Sequence, residues 1–147
     1  MEQLQEWINE FQLLGVAVLL GFVQLAWAAV AARQQQGLAW ARGPRDEDRP
    51  VTGVAARLER AFRNYMETFP LFAVAVIANL TTDTKSPFAS QLVWWGSLTY
   101  VLARIVYVPL YAWGVPNWRT IVWYVSVLGL LMVTAALFVL APGTGAA

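Results

Sequence analysis

A stripe of polar side chains carries the residues of this 147-residue chain that are best suited to chemistry. Arg57, Arg60, Asn64 and Glu67 follow one another at spacings of 3, 4 and 3 residues. On an α-helix these spacings keep the four side chains within about 80° of arc, so they share one face. Guanidinium groups bind carboxylates through paired hydrogen bonds. The stripe therefore predicts a site for a ligand that bears carboxylates.

A second, smaller cluster repeats this pattern further along the chain. Arg104, Tyr107 and Tyr111 lie at spacings of 3 and 4 residues, which again places them on one helical face. Two more arginines, Arg33 and Arg119, stand at the ends of apolar stretches. The predicted topology brings all of these to one side of the membrane. The expected binding residues are Arg33, Arg57, Arg60, Asn64, Glu67, Arg104, Tyr107 and Tyr111, with Arg119 beside them.

A plainer interpretation of the same residues is topological. Arginines near a helix end commonly extend to the membrane interface, and Glu59 and Glu67 could serve as local ion-pair partners. Tyrosines near a helix end often belong to an interfacial aromatic belt. This interpretation does not explain why Asn64 and Glu67 continue the arginine face about two turns deeper. A charge near the bilayer centre costs about 2.5 to 3.5 kcal/mol, so these groups should face protein or water.

The elements that position these residues follow from the distribution of charge. Charged residues make up 13% of the chain, about half the roughly 25% of a soluble domain. Because a membrane span needs about 20 mostly apolar residues, the long uncharged stretches predict a polytopic membrane protein with about four helices. The uncharged stretches are Phe11 to Ala32, Thr68 to Thr82, Ser86 to Ala103 and Thr120 to Ala147.

The predicted fold is all-α: one domain over 1–147 that forms an integral membrane four-helix bundle. The first to fourth predicted helices cover about 5–33, 53–80, 88–111 and 118–140. Between the first two lies a loop at 34–52, in which Gly37, Gly43, Pro44 and Pro50 alternate with charged residues. Thr52 is the expected N-cap of the second helix.

The arginines of the connections predict the orientation. Arg42, Arg45 and Arg49 lie in the 34–52 loop and Arg119 lies beside the last turn, whereas the opposite side offers only Lys85 and an acidic N-terminus. By the positive-inside rule the 34–52 loop is cytoplasmic and both termini lie outside the cytoplasm.

Composition excludes several classes of chemistry. The chain has no cysteine and no histidine, which excludes disulfides, thiolate metal sites, a haem or zinc centre and a Ser-His-Asp triad, so no metal is expected. A net charge of +1 provides no basic field for nucleic acid. Chemistry must therefore use arginine, tyrosine, asparagine, glutamate and a bound cofactor.

The segment from Arg60 to Phe72, with the pattern Arg-Ala-x-x-Asn-x-x-Glu-x-Phe-Pro, resembles the second-helix signature of the MAPEG family, the membrane-associated proteins of eicosanoid and glutathione metabolism. The likeness extends to Arg104, Tyr107 and Tyr111 and to the arginine at the end of the first helix. Thr68 and Phe62 depart from some members, which have tyrosine and glutamine there.

The resemblance implies a homotrimer of four-helix protomers in a bacterial inner membrane, with glutathione as co-substrate between adjacent protomers. Arg60, Asn64 and Glu67 would bind glutathione, with Arg57 and Arg33 at the rim and Tyr107 and Tyr111 in contact. Arg119 would be the catalytic residue that activates the thiol. It matches the family position only with a one-residue shift, so Arg104 remains an alternative activator. The expected activity is a glutathione transferase or peroxidase that acts on lipophilic electrophiles from the lipid.

Two other functions stay open at this point. The same pocket could bind a lipid head group or another anionic metabolite without catalysis, in which case Arg119 would not be needed for chemistry. A small proton or ion pathway is a third interpretation, with Glu67 titrating inside the helices.

Overall fold

The computed structural model describes residues 8–82 and 86–139, which form five α-helices and contain no β-strand. The helices are α1 Glu10–Gln36, α2 Leu38–Arg42, α3 Gly53–Leu80, α4 Pro87–Trp113 and α5 Pro116–Ala136. Residues 5–7 of the first predicted helix and 140 of the last lie outside the described residues. The four long helices correspond in order to the four predicted ones.

The start of α1 is fixed by a capping box. The Asn9 side chain accepts a hydrogen bond from the Gln12 backbone, and the Gln12 side chain accepts one from the Asn9 backbone. These bonds satisfy backbone donors that a helix start leaves unpaired. The helix continues three residues beyond the predicted end at 33 and stops at Gly37, whose φ is 87°.

The 34–52 connection is more ordered than a loop composition suggests. It contains the one-turn helix α2, which stands between Gly37 and Gly43. The Gln35 side chain donates to the Thr52 carbonyl at 3.1 Å and accepts from the Thr52 N–H at 2.9 Å. The Gln36 amide donates to the Arg49 carbonyl at 2.6 Å. These bonds hold the end of α1 beside the start of α3.

Local sequence also sets the bounds of α4 and α5. The Ser86 hydroxyl caps α4 by accepting from the Ala89 N–H at 3.1 Å, and Pro87 takes the first helical position, where a missing N–H is harmless. The helix ends at Gly114, which adopts a left-handed φ of 75°. After this turn α5 begins at Pro116, two residues earlier than predicted.

Helices α4 and α5 approach closely at Gly96 and Gly129. A Cβ built on Gly129 would lie 2.7 Å from the Gly96 carbonyl oxygen and 2.7 Å from the Tyr100 backbone nitrogen. Small residues of this kind allow two helix backbones to approach closely. The core around this contact includes Phe72, whose ring stacks on that of Tyr100 with centroids 4.1 Å apart.

Helix α3 packs against each of the other long helices. The Tyr65 hydroxyl donates to the Ala17 carbonyl of α1 at 2.5 Å, and the buried Asn79 amide donates to the Val133 carbonyl of α5 at 3.0 Å. Three of the described helices, α1, α4 and α5, are long and apolar enough to cross a membrane. The sequence predicted four such helices, but α3 has five charged residues between Arg57 and Glu67.

Gly129→Ala should lower the thermal stability of the detergent-solubilised protein, whereas Gly15→Ala should not. Alanine normally favours a helix over glycine. At Gly129, however, the added methyl group meets backbone atoms, and overpacking costs about 1 to 3 kcal/mol. At Gly15 nothing lies within 4 Å of the added atom. Equal unfolding temperatures for the two variants would contradict the close α4 to α5 contact.

Candidate functional site

A cavity of about 280 Å³ lies between α3, α4 and α5, near the ends of the helices that carry the 34–52 connection and the Gly114 turn. It brings together four of the predicted residues, Asn64, Tyr107, Tyr111 and Arg119. Three further residues complete the lining and were not predicted: Thr120, Trp123 and Tyr124. Their spacing from Arg119 continues one face of α5, which is the sequence signal that could have identified them.

Arg119 lies in the first turns of α5, where it faces the end of α4. Its guanidinium carbon stands 4.5 Å from the centre of the Tyr111 ring, close enough for a cation–π contact. The Tyr111 ring in turn lies 5.4 Å from the ring of Tyr107. A helix N-terminus is a partly positive environment, so Arg119 adds a full charge to a place that already favours anions.

Behind the cavity, Arg104 is buried with only 1% of its surface exposed. It donates to the Asn64 side-chain oxygen at 2.8 Å and to the Thr68 hydroxyl at 2.5 Å. The Thr68 hydroxyl also shares a hydrogen bond with the Tyr100 hydroxyl at 3.0 Å. The sequence analysis did not select Thr68 and Tyr100 as site residues, although each lies four residues from one that it did select, Asn64 and Arg104.

Asn64 connects this buried network to the exposed polar face of α3. Its Nδ2 donates to the Glu67 carboxylate at 3.3 Å. Glu67 and Arg60 are both exposed, one turn to either side of Asn64. Of the four residues predicted from the spacing, Arg57 and Asn64 therefore bond α4, whereas Arg60 and Glu67 are exposed.

Arg57 is used differently from the rest of the stripe. Its Nε donates to the Ala112 carbonyl of α4 at 2.9 Å, and its guanidinium packs against Gly114. Backbone carbonyls in the last turn of a helix have no partner within the helix, and a cation also suits that end of the helix dipole. Arg57 thus fastens the start of α3 to the end of α4.

Arg33 lies away from the cavity that contains Arg119. It is exposed and lines a separate cavity of about 690 Å³ between α1, α2 and α3, together with Arg45, Glu59 and Arg63. Within one chain the structure therefore brings Asn64, Tyr107, Tyr111 and Arg119 together, with Arg104 behind them, and leaves Arg33 on a different face.

The chemistry of the site comes from cations, an amide and phenols. Among the described residues no group of three or more carboxylates or other metal-binding side chains lies close enough to hold a metal ion. Guanidinium and phenol groups can bind carboxylates and stabilise a thiolate or another anion. The arrangement is suited to holding an anionic ligand at the cavity and stabilising negative charge on it.

The family model of the MAPEG family matches residues 13–139, which is most of the chain and nearly all of the described helices. The chain therefore belongs to the MAPEG family, and the resemblance seen in the sequence is confirmed. This family includes glutathione transferases and peroxidases. Together with the three apolar helices, the family identifies the protein as a membrane protein. A comparison with curated proteins gave no match.

Arg57→Gln should destabilise the protein in the absence of ligand, and Arg60→Gln should not. The first change removes a part-buried hydrogen bond from a charged donor to the Ala112 carbonyl, a bond of a kind that contributes about 1.5 to 3 kcal/mol. The second alters an exposed side chain of the same type one turn away. The unfolding temperatures of the two variants in detergent measure this difference. A loss of stability as large in Arg60→Gln as in Arg57→Gln would contradict these different roles.

Proposed function

We propose that the protein is a glutathione-dependent membrane transferase or peroxidase that acts on lipophilic electrophiles. The observation that carries this proposal is the convergence of Asn64, Tyr107, Tyr111 and Arg119 on one cavity in a member of the MAPEG family. Glutathione is the co-substrate, and its two carboxylates suit a site built from guanidinium, amide and phenol groups. The second substrate reaches the site from the bilayer.

In this proposal the polar face of α3 holds the peptide. Arg60 binds a carboxylate, Asn64 and Glu67 bind polar groups of the backbone or the amine, and the two tyrosines of α4 contact the ligand from the cavity wall. Exposure of Arg60 and Glu67 supports this role, because both are available to a ligand that extends from the cavity along α3. Arg57 contributes at the rim.

Arg119 is the proposed catalytic residue. A guanidinium next to the ligand sulfur favours the thiolate over the thiol, and the α5 N-terminus adds to the same stabilisation. In the transferase reaction the thiolate attacks an electrophilic carbon, so a C–S bond forms and the leaving group departs with its bonding electron pair. In the peroxidase reaction it attacks a peroxide oxygen, which gives glutathione sulfenic acid and an alkoxide that takes up a proton; a second glutathione then reduces the sulfenic acid to the disulfide with loss of water. The 4.5 Å contact with the Tyr111 ring holds the guanidinium at the cavity.

We also propose that the chain forms a four-helix protomer of a homotrimer. Glu67 is the fifteenth of the 28 residues of α3, which places an exposed carboxylate near the middle of a helix about 42 Å long. Exposure of such a group to lipid is costly, so another protein surface should cover it. A neighbouring copy would also contribute its Arg33 to the glutathione site. Within its own chain, Arg33 lies on a different face from the cavity that contains Arg119.

The proposed location is a bacterial inner membrane, with the 34–52 connection in the cytoplasm and both termini outside it. The concentration of arginines in and beside that connection supports the orientation. Since the chain has no cysteine, labelling single introduced cysteines from either side of the membrane tests it. A position in the 34–52 connection that reacts from outside intact cells would contradict it.

Glutathione should raise the thermal stability of the solubilised protein, because a ligand that binds only the folded state stabilises it by about 2.7 kcal/mol at 100 times its Kd. The matched ligand is the same tripeptide with serine in place of cysteine, which should also stabilise the protein. Only glutathione should produce the ultraviolet absorbance of a thiolate, and Arg119→Gln should remove that absorbance while stabilisation remains.

The proposal would be contradicted if saturating glutathione produced neither thermal stabilisation nor thiolate absorbance. Glutathione binding without thiolate absorbance or turnover, and unchanged in Arg119→Gln, would instead favour a binding protein without catalysis.

A further inference from the structure

The buried guanidinium of Arg104 has neutral hydrogen-bond partners at two of its nitrogens, and its Nε has no partner among the described residues. Two of its nitrogens donate to Asn64 and Thr68, and its carbon lies 5.3 Å from the centre of the Tyr107 ring and 5.5 Å from that of Tyr100. Among residues 8–82 and 86–139 the one ion pair within 4 Å is between Arg49 and Glu47, far from this network in the sequence. Arg104 is thus a buried cation with no carboxylate in direct contact.

Arg104 determines which way the Asn64 amide faces. The guanidinium has only donors, so it can bond the amide oxygen of Asn64 but not its NH₂ group. A flipped amide would place two donors against each other in the interior, where an unpaired polar group is costly. The NH₂ group must therefore point away from Arg104, and it donates to Glu67 at 3.3 Å.

This orientation limits what Asn64 can offer a ligand. Its oxygen accepts the 2.8 Å bond from Arg104, whereas its Nδ2 is turned toward Glu67, to which it donates at 3.3 Å. Asn64 can then donate to an acceptor on a ligand, and Glu67 keeps oxygens that accept from a donor. The polar face consequently presents a fixed donor next to a fixed acceptor.

We infer that Arg104 is a positioning residue, which acts on the bound ligand through Asn64 and not by touching it. Arg104 is buried behind Asn64 and does not line the cavity, although the sequence analysis placed it among the ligand-binding residues. By holding the Asn64 oxygen, it makes Asn64 a hydrogen-bond donor for the ligand and sets the position of Glu67. The identity of that ligand as glutathione rests on the proposed function.

A double-mutant cycle tests this inference in the full-length solubilised protein. Glutathione affinity is measured for the parent protein, Arg104→Gln, Asn64→Ala and the double variant. If Arg104 acts through Asn64, Arg104→Gln weakens binding about 10-fold or more in the parent and less than about 2-fold in the Asn64→Ala background. Equal losses in the two backgrounds overturn the inference, because they show that Arg104 acts on binding independently of Asn64.

A second variant keeps the inference falsifiable if Arg104→Gln does not fold. Asn64→Asp retains an oxygen that accepts from Arg104, but it replaces the NH₂ donor by a carboxylate oxygen that faces Glu67. The pairing of the new charge with Arg104 opposes its repulsion by Glu67, and glutathione affinity should fall about 10-fold because the donor is lost. Unchanged affinity would overturn the claim that the donor is what Arg104 positions.

The control for general destabilisation is Asn79→Ala. Asn79 is as buried as Arg104 and bonds the Val133 carbonyl, but it lies on α3 about four turns from Asn64. Its loss should lower the unfolding temperature and leave glutathione affinity unchanged. An affinity loss equal to that of Arg104→Gln would reduce the role of Arg104 to a structural one and overturn the inference.

A measurement without ligand separates this inference from the proposed function. The side-chain amide resonances of Asn64 should shift and broaden in Arg104→Gln, because the amide is no longer held in one orientation. If the parent protein does not bind glutathione but these resonances change as expected, the proposed function fails and the positioning role stands. Unchanged resonances overturn the positioning role whatever the ligand is.

Discussion

The structure depends on placing a few charged groups among helices that are otherwise apolar. Arg104 is the most demanding of them, since its charge is buried between α3 and α4 without a carboxylate in contact. Asn64 and Thr68 accept hydrogen bonds from two of its nitrogens, and the rings of Tyr65, Tyr100 and Tyr107 lie within 6.0 Å of its guanidinium carbon. Its Nε has no hydrogen-bond partner among the described residues, so the two bonds to α3 are the ones that offset burial of the charge, and they fix the register of α3 against α4.

That register explains why the same side chains meet at the cavity. Asn64 faces Arg104, Thr68 faces Tyr100, and Arg57 reaches the end of α4 at Ala112. The turn at Gly114 then returns the chain so that Arg119 stands over Tyr111. Packing at Gly96 and Gly129 holds α5 close enough to α4 for Trp123 and Tyr124 to line the cavity. The site is therefore a consequence of helix packing and not of a specialised loop.

Much of this could be predicted from the sequence because the signals are local and periodic. Spacings of three and four residues placed Asn64 beside Glu67, and uncharged stretches located the long helices. Trp123 and Tyr124 were not predicted, since aromatic residues in a membrane helix suggest a lipid or interfacial position by default. The Arg57 bond to a backbone carbonyl and the separation of Arg33 from the cavity depend on helix rotation and register, which residue types do not encode locally.

The central claim is that the exposed polar face of α3 binds glutathione at a surface completed by further copies of the chain. Native mass spectrometry of protein released from detergent tests the glutathione binding and the assembly in one experiment. The account predicts a trimer that gains glutathione on its chains and loses it when Asn64 and Arg60 are replaced by alanine. A monomer, or a trimer whose mass is unchanged at saturating glutathione, would contradict the account.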